Sequence, residues 1–311
     1  MEYIRNTTGI MIKEPTVLSL GKFDGLHMGH KFLLSRMLEK QKQGLAAVMF
    51  TFDIPPKTLV SREALSVLTT NEEKEYIFAK TGIDYLIEYP FTQKVRSLTP
   101  EMFLRYLVER LNVKCIVAGR DFRFGYNRRG NYETLERMGP ELGFEAVIVD
   151  KMEYEHREIS STFIREEIAK GNLEKANYLL GYDYFVTGTV VHGRALGRTL
   201  GIPTVNLIPP QEKQLPPFGV YVSRVLLKDG RIFGGITNVG KKPTIKGENP
   251  IGIETHILDF KEDLYDRSIE VRFLKFLRSE QKFSSVEELT AQMRLDVEQG
   301  REYLVQCKKS Q

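Results

Sequence analysis

Along the first 180 residues or so, short apolar runs alternate with amphipathic stretches. TVLSL (16–20), AAVMFTF (46–52), IDYLIEY (83–89), CIVAG (115–119) and EAVIVD (145–150) read as strands. Between them, KFLLSRMLEKQKQ repeats apolar positions at Leu34, Met37 and Leu38, which suits a helix. NEEKEYIFAKTG predicts a helix from about Asn71 to Gly82, and TPEMFLRYLVERL one with Thr99 as N-cap and Pro100 at its first position. Strands that are apolar throughout, alternating with helices, predict a doubly wound α/β domain with a parallel sheet covered on both faces. Its expected extent is residues 1–182.

The pattern then changes. YFVTGTVV alternates, GVYVSRVLLKDGRIFGGITNV holds two strands around the hairpin signal Asp229–Gly230, and GIETHILDF and SIEVRFLKFL are further strands. Close punctuation by glycine and proline predicts a small antiparallel barrel over residues 183–311. SSVEELTAQMRLDVEQGREYL closes the pattern as a helix. Ser285 and Glu288 fit a capping box, and Val286, Leu289, Met293 and Val297 line one face.

Composition changes this picture little. The 311 residues suit two domains, and 45 basic against 41 acidic residues leave a net charge of +4. That balance suits anionic small molecules and does not mark a nucleic-acid binder; the pairs Arg128–Arg129, Lys241–Lys242 and Lys308–Lys309 are scattered. Two cysteines, Cys115 and Cys307, make neither a disulfide framework nor a zinc site. No secretory signal and no membrane-length apolar run is visible, so the cytoplasm is expected.

Chemistry concentrates in three places. The first is GKFDGLHMGH, Gly21 to His30, where a strand turns into a helix. A helix starting at the carboxyl edge of a parallel sheet attracts anions. Gly21, Gly25 and Gly29 permit close approach, and His27 and His30 share one face of the first turn. Phe23 and Asp24 complete the turn, Asp24 mainly orienting it. A metal reading lacks a third ligand, and both histidines as plain turn residues remain the bland alternative. The second is ISSTFIR, where Ser160, Ser161 and Thr162 can cap a helix through Ile164 and Ile168, and Arg165 can reach an anion at that end. A further segment, GRDFRFGYNRRGN, follows the strand CIVAG; Phe122 and Phe124 serve either packing or ring stacking. The third is GTVVHGRALGRTLGIPTVNL. Gly193, Gly197 and Gly201 make a loop able to wrap phosphates, with Arg194 and Arg198 adding charge. Thr204 and Asn206, two apart on an extended segment, point to one side and offer neutral oxygens suited to Mg²⁺. His192 and His156 read as structural and exposed residues, respectively.

These motifs resemble known families. GKFDGLHMGH looks like the GxFDxxHxGH signature of nucleotidylyltransferases, and ISSTFIR like their (S/T)SSxIR segment. GRDFRFG resembles the G-x-[DN]-F-x-F-G segment of the bacterial bifunctional riboflavin kinase/FMN adenylyltransferase family. GTVVHGRALGRTLGIPTVNL resembles the kinase signature GxVxxGxxxGRxLGxPTxN, and ITNVGKKPTI, LPPFGVYVSRV and DLYDRSIEVRFLKFLRSEQKF match further segments. The resemblance runs from about residue 14 to residue 305. It implies a nucleotidylyltransferase domain followed by a six-stranded antiparallel β-barrel kinase domain with a C-terminal helix. It implies riboflavin, FMN and ATP as ligands, Mg²⁺ with ATP, and flavins as substrate and product. It makes His27, His30 and Arg165 catalytic residues of the first site and places ATP phosphates on Gly21, Phe23, Asp24, Gly29, Ser160, Ser161 and Thr162, and on Gly193, Arg194, Gly197, Arg198 and Gly201. Flavin falls to Asp121, Phe122, Phe124 and Asn238, the metal to Thr204 and Asn206, and the catalytic base to Glu254, with a structural role for His256. One departure stands out: TFDIPP, Thr51 to Pro56, replaces the family's TFxPHP-like segment and lacks its histidine. Two alternatives therefore stay open, a chain working mainly as a riboflavin kinase and a non-catalytic flavin-binding regulator.

Overall fold

The computed structural model describes residues 1–53, 66–193, 196–241 and 251–309. The chain divides into two compact units, Met1–Ser161 and Thr162–Gln311.

The first unit is built on a parallel sheet of β1 (Glu2–Arg5), β2 (Thr16–Leu20), β3 (Ala46–Phe52), β4 (Tyr85–Tyr89), β5 (Val113–Gly119) and β6 (Glu145–Val149), in the order β1-β4-β3-β2-β5-β6. The helices α1 (Met28–Gln41), α2 (Asn71–Phe78), α3 (Gln93–Arg96), α4 (Pro100–Leu111) and α5 (Tyr132–Leu142) connect them, and a two-residue ribbon of β7 (Glu153–Tyr154) and β8 (Arg157–Glu158) follows. Successive strand residues point to opposite faces. Leu18, Val48, Ile87 and Ile116 pack with Leu104, Leu107 and Leu135 in one core, while Val17, Met49, Leu86 and Val117 pack with Leu34, Met37 and Phe78 in the other. Each such side chain, fully withdrawn from water, contributes roughly 1.5–3 kcal/mol.

Thr99 caps α4 as expected, with Pro100 at its start. The cap of α2 is Thr70, one residue before the expected start, in a reciprocal capping box with Glu73. β1 was not expected: EYIR is short and polar at both ends, and becomes a strand only by pairing along the edge of β4. Sequence order reverses across the sheet between β2 and β5, which are hydrogen-bonded neighbours. Their carboxyl ends flank the switch point where open α/β sheets bind ligands.

The second unit begins with α6, which spans Ser161–Ala169 from the last residue of the first unit, and α7 (Leu173–Leu180). Its antiparallel sheet is formed by β9 (Phe185–Thr189), β10 (Val205–Leu207), β11 (Gly219–Leu227), β12 (Ile232–Lys241), β13 (Ile251–Ile257) and β14 (Ser268–Ser279), with the short α8 (Leu196–Thr199) before β10. The order is β10-β13-β12-β11-β14-β9, and a bridge between Val191 and Asn206 closes the two ends into a barrel. Asp229–Gly230 makes the expected hairpin turn, with Gly230 at φ 88°.

Inside, Tyr221, Val225, Val239, Ile253, Val271 and Phe273 are buried. The long helix α9 (Val286–Lys309) lies outside, where Val297 and Leu304 pack on Val220, Ile236 and Leu258. Gly300 permits that approach, because a Cβ there would stand 2.2 Å from Ile236 Cδ1. Two expectations for this helix change. Val286 is 54% exposed and not part of the packed face. The Ser285 hydroxyl accepts from Glu288 N, but the Glu288 carboxylate accepts from Ser284 N, one residue before the position a capping box needs.

Candidate functional site

The first constellation sits at the carboxyl end of β2. Gly21 N donates to Phe50 O at 3.1 Å, the last rung of the ladder, and the chain then turns sharply. Phe23, Gly25 and Leu26 all take positive φ, at 48°, 82° and 33°. Two such non-glycine residues cost about 1–3 kcal/mol each, so the surroundings must hold them. Phe23 is buried edge-on against Phe78 and His30. The Asp24 carboxylate accepts from Leu68 N and Thr69 N at 2.8 and 3.0 Å, and the Ser161 hydroxyl donates to Asp24 O at 2.8 Å. The Asp24 carboxylate braces the turn against residues 68 and 69, and Ser161 ties down the same turn.

His27 is the N-cap residue of α1, yet its side chain makes no capping bond. Its ring stacks on His30 instead, with centroids 3.7 Å apart and planes at 22°. Gly29 makes room, since a Cβ there would lie 3.2 Å from the His27 ring. Both Nδ1 atoms are buried and have no hydrogen-bond partner among the described residues. Burial pulls the His27 pKa down to about 4 against the pull of Asp121, and burial, then the charge of His27, takes His30 well below its ordinary value. Two neutral imidazoles at a helix N-terminus and switch point can donate hydrogen bonds to an anion.

This has a consequence for stability. A His27 pKa near 4 in the folded state lies below the unfolded value of 6.5, so the unfolded chain takes up the proton first. Stability is fully present above pH 6.5 and is lost as pH falls towards 4, by about 3 kcal/mol for this one group. The urea midpoint of the first unit is expected to fall between pH 7 and pH 4.5, and His27→Gln to flatten that dependence.

At the end of β5, Asp121 lies within ion-pair distance of Lys151 Nζ, 3.3 Å. Phe122 and Phe124 stack on each other at 5.4 Å. Phe124 is buried in the core against Phe103, and a Cβ on Gly130 would meet its ring at 2.8 Å; Phe122 remains more open. Thr162 and Arg165 lie on α6, in the second unit, with Ile164 and Ile168 of that helix fully buried. Of TFDIPP, Thr51 is buried and Asp53 accepts from Phe91 N at 2.8 Å, while Ile54, Pro55 and Pro56 lie outside the described residues. Lys74 on α2 carries no site assignment from sequence. Burial lowers its pKa while the charges of Asp24 and Glu88 oppose that shift, and a lysine inside an otherwise ordinary helical pattern carries no local signal of this.

The second constellation crosses the barrel. β10 sets Asn206 opposite Glu254 on β13, and β12 sets Asn238 opposite the same Glu254. Directly opposed residues project to one face, so Asn206, Glu254 and Asn238 form a continuous row. The Thr204 hydroxyl donates to Glu254 Oε1 at 2.5 Å. The glycine-rich loop starts against this row: a Cβ on Gly193 would stand 2.4 Å from Asn206 Nδ2, and one on Gly197 2.4 Å from Ile202 O. Gly201 takes φ 73°. Arg194 and the Arg198 side chain lie outside the described residues, as does most of GKKPTI beyond Lys241.

His256 bonds Pro203 O through Nδ1 at 2.8 Å, in keeping with a structural role, and His156 is exposed in the turn after β7. A cleft beside Thr204 is lined by Val190, Thr255, Phe260, Lys261 and Tyr265 among others. These last three lie in a segment that drew no site assignment from sequence, because nothing local places 260–265 beside residue 204. Among the described residues no group of three or more His, Cys, Asp or Glu side chains gathers to hold a metal; the oxygen donors at hand are Thr204, Asn206 and Glu254.

Fold and geometry together describe a two-unit protein, with an anion-attracting turn on an α/β unit and an oxygen-rich row on a barrel. Residues 10–163 match the FAD synthetase family and residues 180–304 the riboflavin kinase family. The chain is 38% identical to the bifunctional riboflavin kinase/FMN adenylyltransferase of Escherichia coli (strain K12), over 94% of this chain and 93% of that one. It is 36% identical to the protein of the same description from Listeria monocytogenes, over 92% of each chain, and 33% identical to that from Bacillus subtilis, over 96% of each. A crystal structure described as a macrolide-efflux protein from Streptococcus pneumoniae superposes with a TM-score of 0.87 at 33% identity, covering 96% of this chain and 98% of the other. No helix among the described residues is long and apolar enough to cross a membrane. The chain belongs to the bifunctional riboflavin kinase/FMN adenylyltransferase family.

Proposed function

We propose that this chain phosphorylates riboflavin to FMN with MgATP on the barrel, then adenylylates FMN to FAD with release of pyrophosphate on the α/β unit. The division between the two activities is placed at residues 182/183. The observation that carries the kinase half is the Thr204–Glu254 bond inside the Asn206–Glu254–Asn238 row. The ribityl 5′-hydroxyl of riboflavin is not ionised at neutral pH, so its proton needs an acceptor as the γ-phosphoryl group arrives. Glu254 takes that proton, and Asn238 on the same face holds the flavin. The cleft beside Thr204 takes ATP, with the loop through Gly193, Gly197 and Gly201 around its phosphates. Thr204 and Asn206 supply the neutral oxygens that suit Mg²⁺, which keeps part of its water and takes its remaining ligands from phosphate. When bound, Mg²⁺ neutralises charge on the transferring phosphoryl group.

Adenylyl transfer makes a different demand. The nucleophile is the FMN phosphate, already ionised, so an oxygen of FMN attacks the α-phosphorus and pyrophosphate leaves without any base. The site has only to align the partners and stabilise charge. His27 and His30 do this as neutral donors at the start of α1, with Ser160 and Ser161 of the same unit adding hydroxyls. Asp121 and Phe122 line the flavin side.

The change at TFDIPP favours one second reading, a chain that works mainly as a riboflavin kinase. A chromatographic time course with riboflavin, ATP and Mg²⁺, repeated from FMN, separates the two. FAD is expected in both runs, and chelating Mg²⁺ is expected to stop both. FMN accumulating without FAD would leave the kinase alone.

A further inference from the structure

We propose that His192 is a positioning residue for the phosphoryl donor: stacked on Tyr265, its ring holds the root of the glycine-rich loop against the wall of the cleft beside Thr204. The proposal rests on the reading of that cleft as the ATP site.

His192 and Tyr265 lie face to face, with ring centroids 3.8 Å apart and planes at 24°. Tyr265 is part of the cleft lining, and His192 immediately precedes Gly193, where the loop begins. Backbone bonds fix the strand leading to this point on two sides. Val190 N donates to Arg267 O at 2.9 Å, and Asp266 N returns a bond to Val190 O at 3.0 Å. On the other side Val191 N donates to Asn206 O at 2.8 Å. At Gly193 the backbone presses on the Asn206 amide. Beyond it come Gly197, packed against Ile202 O, and Gly201, at φ 73°. Glycine loses more conformational freedom on ordering than any other residue, so a contact that fixes the root lowers the ordering cost of donor binding. The stack is a side-chain link that joins the loop root to the cleft wall.

Two features separate this contact from ordinary core packing. His192 is exposed, so little of the barrel's stability depends on its burial. The rings are also too close to admit a third ring between them, so a nucleotide meets Tyr265 with that residue already held from outside. The stack therefore acts on donor binding, through preorganisation, and not on the proton transfer at Glu254.

The test uses the full chain and reads both reactions. His192→Ala is expected to raise KM for MgATP in FMN formation by about two- to tenfold, the range of an aromatic pair contact. The kcat at saturating ATP, KM for riboflavin and FAD formation from supplied FMN should all stay at wild-type values. His192→Phe, which keeps a flat ring without the imidazole nitrogens, should restore KM for MgATP. The positioning role is overturned if His192→Ala leaves KM for MgATP unchanged, if Phe fails to restore it, or if KM for riboflavin rises equally. A wild-type chain that forms no FMN overturns the kinase reading beneath it.

Discussion

Replacing Glu254 by Gln is expected to lower FMN formation from riboflavin by about 10²–10⁴-fold, the usual worth of a positioned general base. FAD formation from supplied FMN should proceed at the wild-type rate. The loss corresponds to about 2.7–5.4 kcal/mol of transition-state stabilisation. Gln is the informative change because it keeps the length of the side chain and an oxygen able to accept from Thr204, which now donates to Glu254 at 2.5 Å. What it removes is the capacity to take a proton. The row of Asn206 and Asn238 on either side of residue 254 should persist, since it is set by backbone register and not by the carboxylate. Initial rates of FMN and FAD formation, followed separately by chromatography on protein with a wild-type melting profile, decide the matter. Wild-type FMN formation in the variant would remove Glu254 from the mechanism. Loss of both reactions would refute the assignment of one reaction to each unit.

His27→Ala should have the mirror effect: FAD formation down by about 10²–10³-fold, as for removal of one charge-stabilising donor, with FMN formation intact. The ring is held between His30, 3.7 Å away, and the space that Gly29 leaves open, and its Nδ1 is buried without a partner among the described residues. A buried polar atom left unsatisfied costs about 1–3 kcal/mol, an expense that ligand binding can offset when the imidazole donates to phosphate. Because burial holds the ring neutral, it acts as a hydrogen-bond donor and not as a fixed cation. His27→Asn, a shorter neutral donor, should therefore recover part of the rate, whereas His27→Lys should not. Single-turnover FAD formation at saturating ATP and FMN separates this from weaker binding. Equal rates for Ala and wild type would leave the histidine pair as turn residues, the plain alternative that their sequence context allowed.

The sequence by itself determined whatever rests on local periodicity and backbone chemistry. Continuous apolar strands and amphipathic helices announced a covered parallel sheet, and alternation with Asp229–Gly230 announced an antiparallel barrel. GKFDGLHMGH put two histidines three residues apart at a helix start, close enough to meet at the N-terminus of α1 although His27 itself is the N-cap. Thr204 and Asn206 shared a side because strand side chains repeat every two residues. Only the tertiary structure decided what depends on pairing between distant segments. EYIR became a strand because β4 offered an open edge. Glu254 came to lie opposite Asn206 and Asn238 through the register of three strands, which no local pattern encodes. The stacking of His192 on Tyr265 and the gathering of Phe260, Lys261 and Tyr265 beside Thr204 follow from barrel closure, where the bridge between Val191 and Asn206 joins the two ends of the sheet. The exposure of Val286 and the lowered pKa of the partly buried Lys74 were decided in the same way, since burial depends on which neighbours arrive, and those neighbours are remote in the chain.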